Sequence, residues 1–327
     1  MRYKNCEEDF IYKCKICPRN CQTDRTRNAG YCGAMDKLKA ARAALHFWEE
    51  PCLSGTSGSG TVFFSGCPMH CVFCQNQEIA NGQGGKEITV ERLAEIFLEL
   101  QAQSANNINL VTAGHFIPMV AEALRIAKAN GLVIPVVFNS SGYESVESLK
   151  VLDGLVDVYL PDFKYWEEET AKRYSNAPDY PAVAKAAIAE MVRQVGEPVF
   201  ASKKEWMTGH AKKDGICQET RQDEVLLVKG MIVRHLILPG HTKESKAILQ
   251  YLLEAYGKQI YISIMNQYTP MPGIAERGFP ELNRKVTRRE YEKVIDYAIE
   301  LGLEQGFVQE GETAKESFIP AFDGEGV

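Results

Sequence analysis

Cys67, Cys71 and Cys74 stand at C-x3-C-x2-C spacing, directly after the apolar run Thr61-Val62-Phe63-Phe64. Thiolates this close together are ligands for soft metals. Four of them would close a structural zinc site or an electron-transfer cluster. No fourth cysteine lies within twenty residues downstream, so a cubane iron–sulfur cluster held here has three anchored irons and one open to another ligand. A second set, Cys14, Cys17, Cys21 and Cys32, has the spacing C-x2-C-x3-C-x10-C. Four soft ligands suit tetrahedral zinc or a second iron–sulfur cluster, and thiols alone do not choose between these, or between either and reduced thiols that only pack. Three charged residues join the cysteines as candidates. Asp162 and Lys164 are two apart, so on an extended strand end they face one side. Arg234 interrupts an apolar run and cannot be buried without a carboxylate.

The bulk properties restrict what these groups can serve. The chain has 327 residues, 45% hydrophobic, with net charge −6 and both signs of charge interspersed. Such a length supports one large core, either a single barrel or two domains. The charge argues against a nucleic-acid surface or a basic membrane patch. No apolar run reaches the length of a membrane span, and the first residues lack the apolar core of a signal peptide. A cytoplasmic protein is expected, in which ten cysteines serve metals more readily than disulfides.

The elements that must position these residues alternate between strand-like and helix-like runs. Strands are expected at 61–64, 108–112, 133–138, 156–160, 232–238 and 259–265, with a last short one at 305–309. Helices are expected between them. One carries Val90, Leu93, Ile96, Phe97 and Leu100 on a single face behind an N-cap at Thr89. Another opens at Pro118, and a third starts at the capping box Thr287/Glu290. Repeated βα units mean a parallel sheet. Residues 1–55 read as a Cys-rich, loop-rich N-terminal metal-binding segment, 56–327 as the barrel, and 200–228 as a polar insertion containing Cys217. The glycine-rich stretch 54–60 lacks the Lys-Ser/Thr ending of a phosphate loop and enters a strand, so a flexible linker is expected there.

With Phe73 in the aromatic slot before Cys74, the cysteine loop resembles the signature of the radical S-adenosylmethionine (SAM) enzymes. Over most of the chain, from Cys14 to Phe318-Ile319-Pro320, the sequence is similar to the uncharacterised branch of proteins related to pyruvate formate-lyase activating enzyme. This resemblance implies an α/β fold with a partial (β/α)6 TIM-like barrel whose chemistry sits at the strand C-termini. It implies a [4Fe-4S] cluster on Cys67, Cys71 and Cys74, with SAM on the open iron. Reductive cleavage then gives methionine and a 5′-deoxyadenosyl radical that abstracts hydrogen from a substrate. By the same resemblance Phe73 lies near adenine, although core packing is its plainer role. Thr112 and Gly114 occupy the turn that holds the SAM amino group, with His115 either beside them or starting a helix. Asn139 meets the ribose or shapes its turn. Asp162 and Lys164 bind the ribose hydroxyls and the SAM carboxylate, or form a tying ion pair. Arg234 lines the SAM or substrate region, and Asn266, Gln267 and Tyr268 the substrate side. His70 is expected to be a loop residue, since a fourth ligand would close the site.

Implied partners are an electron donor such as flavodoxin or ferredoxin and, if the chain is an activase, a glycyl radical enzyme. The second-strand turn, the cysteines ahead of the main motif and the length of 200–228 depart from the activase pattern, which leaves another protein or a small molecule as the alternative substrate. A non-catalytic iron–sulfur or zinc protein is the reading from another class. It fits Cys14–Cys32 and leaves the open three-cysteine loop without a use.

Overall fold

A computed structural model of the protein describes residues 12–207, 224–308 and 319–327. Cys6, Cys217, Gln309 and Phe318 lie outside the described residues. Strand β1 (Leu38–His46) pairs antiparallel with β2 (Ser59–Phe64), and the short β3 (Lys86–Ile88) joins the other side of β1. Next come β4 (Ile108–Val111), β5 (Val136–Ser140) and β6 (Val158–Pro161), then β7 (Val199–Ser202), β8 (Val225–Leu236), β9 (Tyr261–Met265) and β10 (Gly306–Val308). The order is β10-β9-β8-β6-β5-β4-β2-β1-β3, parallel from β10 to β2, with β7 antiparallel on β8. A parallel sheet whose strands alternate with helices, and whose order ends on two different strands, is the partial barrel expected.

The main helices are α1 (Val90–Ala102), α2 (Ile117–Ala129), α3 (Val146–Lys150), α4 (Glu168–Ser175), α5 (Tyr180–Val195), α6 (Thr242–Tyr256) and α7 (Arg288–Glu300). In α1 the buried residues Leu93, Ala94, Ile96, Phe97 and Leu100 recur every three or four positions, the spacing of one helical face. The Thr89 hydroxyl accepts the Arg92 amide at 3.1 Å, and Thr287 and Glu290 form the full capping box of α7. Strand side chains alternate as a pleat requires. Val136 and Phe138 pack with the helices, while Val137, with Val158, Leu160 and Ile232, faces a separate inner cluster.

Strands β1, β3 and β7 were not expected from the sequence, and β5 was expected to start earlier. β1 reads LKAARAALH, and alanine and lysine are poor strand formers. It lies within the stretch read as the N-terminal segment, yet it extends the barrel sheet. The strand expected from Val133 starts only at Val136, because Pro135 has no N–H to give a ladder; its carbonyl accepts the Ile108 amide at 2.9 Å. The polar stretch after residue 200 begins and ends in the β7–β8 ladder, with Ser202 opposite Val225.

His46 pairs with Ser59, so the connection from β1 to β2 passes the N-terminal ends of the parallel strands. A one-turn helix there, Pro51–Ser54, puts Cys52 and Leu53 fully inside the inner cluster. Its carbonyls are satisfied by buried side chains just before β4: Asn106 donates to Ser54 at 2.7 Å and Asn107 to Leu53 at 2.8 Å. This segment plugs the barrel floor. At the other side of β1, the tail 319–327 lies along the strand, with the Ala43 amide on the Glu325 carbonyl at 2.8 Å and Phe322 edge-on to Phe63. Leu53→Ala is expected to cost about 2–5 kcal/mol of unfolding free energy, as for other fully enclosed leucines. Urea denaturation checks this, and a loss of well under 1 kcal/mol would remove the plug from the core.

Candidate active site

β2 delivers the cysteine loop through Ser65-Gly66. Gly66 has φ 94°, and a Cβ on it would stand 2.6 Å from the Cys32 carbonyl oxygen, so only glycine fits. That same carbonyl accepts the Cys67 amide at 3.0 Å. The Met69 amide donates to the Cys67 sulfur at 3.4 Å, and the Asn76 amide faces the Cys74 sulfur. The Cys71 sulfur accepts Ser175 Oγ at 3.1 Å, and Ser175, the last residue of α4, also meets the buried Tyr165 hydroxyl at 2.7 Å. Burial, followed by the charges of its fellow thiols, drives the Cys67 thiol far above its ordinary value. Burial and Cys71 push Cys74 up to about 11. Ionising Cys67 and Cys74 together needs a cation beside them.

His70 points away from this centre: its Nε2 donates to the Tyr31 carbonyl at 2.7 Å. Phe73 is nearly buried, set edge-on to Tyr165, Tyr174 and Tyr268 with ring centroids 6.0–6.4 Å away. It both packs and reaches the wall of a cavity of about 1460 Å³, which also takes in the three loop cysteines. Thr112, Asn139, Asp162, Lys164 and Arg234 line that cavity as well, together with Gln267 and Tyr268; Gly114 does not. A Cβ on Gly114 would meet the Glu144 carboxylate at 2.7 Å, which places it behind the wall. Thr112 has φ 60°, a conformation that costs a β-branched residue about 1–3 kcal/mol. Its amide is fixed on the Asn139 carbonyl at 2.9 Å. His115 is buried, and desolvation pushes it down to about 3. It is therefore neutral, with Nε2–H donated to the Ser65 carbonyl at 2.8 Å, a bond that steadies the loop from behind.

The charged residues form one network. Lys164 Nζ lies 2.5 Å from Asp162 Oδ2. Arg234 reaches Asp162 Oδ1 at 3.2 Å, Glu49 Oε2 at 3.2 Å and Asn139 Oδ1 at 2.6 Å. Burial opposes each charge, but Lys164 and Arg234 hold Asp162 below its usual value, and Asp162 in turn holds Lys164 and Arg234 above theirs. Glu49 also accepts from Asn109 Nδ2 at 3.0 Å. Its neighbour Glu50 is raised by burial and keeps one oxygen without a partner. The need of Arg234 for a carboxylate was readable; that Glu49 of the floor supplies one was not, because the two are 185 positions apart.

The N-terminal thiols carry the same local construction as the loop. The amide two residues on faces the sulfur at Cys17, Cys21 and Cys32, from Arg19, Thr23 and Ala34 respectively. The Cys21 and Cys32 sulfurs each lie 3.6 Å from the point where a Gly30 Cβ would sit. Cys17 is close enough to feel the charge of Cys32, Cys14 and Cys21, and burial pushes it up to about 12. No disulfide joins the described cysteines. Among the described residues, no three His, Cys, Asp or Glu side chains converge on a point for a single metal ion. Cluster thiolates do not have to, since each binds a different iron.

The model of the radical SAM superfamily matches residues 61–200, a span that starts at β2 and holds the cysteine loop. The match covers 140 of the 327 residues and includes Cys67, Cys71 and Cys74. An uncharacterised protein of Methanocaldococcus jannaschii is 27% identical over 305 residues, 91% of this chain and 77% of the relative. The pyruvate formate-lyase-activating enzyme of Clostridium pasteurianum is 26% identical over 155 residues, 44% of this chain and 64% of that enzyme. The Streptococcus suis SuiB structure, bound to its precursor peptide SuiA, superposes with a TM-score of 0.46 at 11% identity over 76% of this chain, which spans about half of SuiB (47%). A radical SAM match implies a [4Fe-4S] cluster and SAM, and the three half-buried loop thiols beside a cavity with polar walls fit them. No helix among the described residues is long and apolar enough to cross a membrane.

Behind the wall, Glu144 is buried against Ser140 Oγ at 2.5 Å, and burial lifts it from 4.5 to about 7. A folded-state carboxyl raised in this way binds more protons than the unfolded chain between those values, so stability falls as pH rises through that window. Relative to Glu144→Gln, the wild type is expected to lose up to about 3 kcal/mol between pH 4.5 and 8, read from urea midpoints across pH. A constant difference would mean that Glu144 keeps an ordinary carboxyl.

Proposed function

We propose that the chain cleaves SAM reductively at a cluster on Cys67, Cys71 and Cys74 and uses the radical for hydrogen abstraction. The observation that carries this reading is that these three are the only cysteines among the described residues lining the cavity, so the thiol set there is one short of closing a cluster. Cys67, Cys71 and Cys74 would hold the cluster, which when bound would supply the one electron that reductive cleavage of SAM to methionine and a 5′-deoxyadenosyl radical requires.

The residues of the chain hold and orient the reactants. Asp162 and Lys164, charged and cavity-lining, suit the ribose hydroxyls and the SAM carboxylate. Asn139 and the strained Thr112 supply polar contacts beside them. Arg234 holds Asp162 and Asn139 in position from below. Phe73 offers an aromatic face and backbone to adenine. The electron comes from a reduced donor protein of the flavodoxin or ferredoxin kind. Similarity to the Clostridium pasteurianum activating enzyme supports a backbone glycine of a partner protein as the hydrogen source, with a small molecule in the same cavity as the alternative. We also read Cys14, Cys17, Cys21 and Cys32 as ligands of a second metal centre, an iron–sulfur cluster or zinc.

Anaerobically reconstituted, reduced protein should release 5′-deoxyadenosine from SAM, and Cys71→Ala should abolish the release, at least a hundredfold below wild type by liquid chromatography. A fully loaded, reduced wild type that yields none, with or without a candidate glycyl radical protein, would reject the reading. Asp162→Asn should leave the cluster iron in place and raise the SAM concentration needed for half-maximal cleavage about tenfold or more, as losing a charge-assisted contact does. Unchanged SAM dependence would remove Asp162 from the cofactor site.

A further inference from the structure

Several groups interleaved with the N-terminal thiols reach the cluster loop or the residues that hold it. Arg19, between Cys17 and Cys21, donates from Nε to the Pro68 carbonyl at 2.8 Å and from Nη2 to the Ser175 carbonyl at 2.7 Å. Its other nitrogen bonds the Asn176 carbonyl. Ser175 is the residue whose hydroxyl meets Cys71. Arg19 is itself clasped between Tyr31 and Tyr143, 4.3 and 5.2 Å from the two ring centroids. Arg25, buried beyond Cys21, donates to the His115 carbonyl at 2.9 Å, and His115 holds Ser65. Tyr31 takes His70 on its carbonyl, and next to it Cys32 takes the Cys67 amide. Thus Ser65, Cys67, Pro68, His70 and Cys71 are each fixed, directly or through one residue, by the stretch from Arg19 to Cys32.

Beyond these contacts and a few buried side chains such as Ile16 and Ala34, that stretch has little to fold it apart from its thiols. Between Lys13 and Lys37 it contains neither helix nor strand, and a short irregular segment pays the full entropy of ordering unless something ties it. We infer that a metal on Cys14, Cys17, Cys21 and Cys32 is the seat of the catalytic loop: it locks Arg19, Tyr31 and Cys32 into the clamp that holds Cys67 and Cys71 in register for their cluster. This rests on reading the quartet as a metal centre. Arg19, Tyr31 and Cys32 are positioning groups here and touch neither cluster nor SAM.

The full chain, loaded anaerobically with iron, sulfide and zinc, is analysed for metals and then exposed to an iron chelator. Three variants are compared with wild type: Cys17→Ser with Cys21→Ser, Arg19→Gln, and the loop variant Cys67→Ala with Cys71→Ala and Cys74→Ala. The loop variant should retain metal and so report what the quartet holds, iron with sulfide or one zinc. The Cys17/Cys21 variant should lose that metal and give up loop iron at least tenfold faster. Arg19→Gln should keep the quartet metal and its urea midpoint yet release loop iron severalfold faster, with Arg19→Lys recovering only part, since an ammonium lacks the guanidinium fork. A loop variant without metal overturns the quartet reading. Quartet metal that is lost in the Cys17/Cys21 variant, with loop iron released at the wild-type rate, overturns the clamp and leaves the metal centre standing. Should the double cysteine variant fail to fold, Arg19→Gln decides alone, and wild-type release from it overturns the clamp.

Discussion

A thiolate cannot be buried without a cation beside it. Cys67 and Cys74 are both driven upward by burial and by the neighbouring thiols, and each is approached by an amide two residues on. A loop of this kind is a poor place for sulfur unless metal is present, and a well-built one when it is. Much of the surrounding architecture serves it. β2 carries the loop to the C-terminal edge of the sheet, Gly66 lets the Cys32 carbonyl close to the Cys67 amide, and a cluster of tyrosines encloses Phe73.

The same electrostatic logic runs from the mouth of the barrel to its floor. Arg234 is largely withdrawn from solvent and has to be matched, and it is, by Asp162 near the cavity mouth and Glu49 in the plug. One guanidinium thereby couples the segment that closes the barrel to the cavity-lining pair Asp162 and Lys164. Breaking a buried network of this sort leaves an uncompensated charge, which costs far more than the network contributes over an apolar replacement. The barrel interior therefore favours a bound, polar occupant, and SAM, zwitterionic at one end and a sulfonium in the middle, has the chemistry to be one.

Much of this was legible in one dimension. The period of α1, the caps at Thr89 and Thr287 and the six strands from 61 to 265 follow local rules of spacing and capping. The cysteine loop and the cavity positions of Asp162, Lys164 and Arg234 follow from strand ends facing one mouth. What was not legible depended on distance along the chain or on composition that misleads. β1 is rich in alanine and packs by its neighbours, not by its propensity. Glu49 matters only because the floor brings it beneath Arg234. Gly114 follows the expected strand, but the turn swings it against Glu144. The clamp of Arg19, Arg25, Tyr31 and Cys32 on the loop is made of backbone carbonyls, which no sequence pattern displays.

The proposed chemistry needs one iron left open at Cys67, Cys71 and Cys74. The most direct measurement is electron paramagnetic resonance of the reduced, reconstituted protein before and after SAM is added. Ligation of SAM to the open iron predicts that one [4Fe-4S]+ signal changes its g values on addition, and that this component is missing from Cys71→Ala. A spectrum that SAM leaves unaltered at saturating concentration would contradict the account.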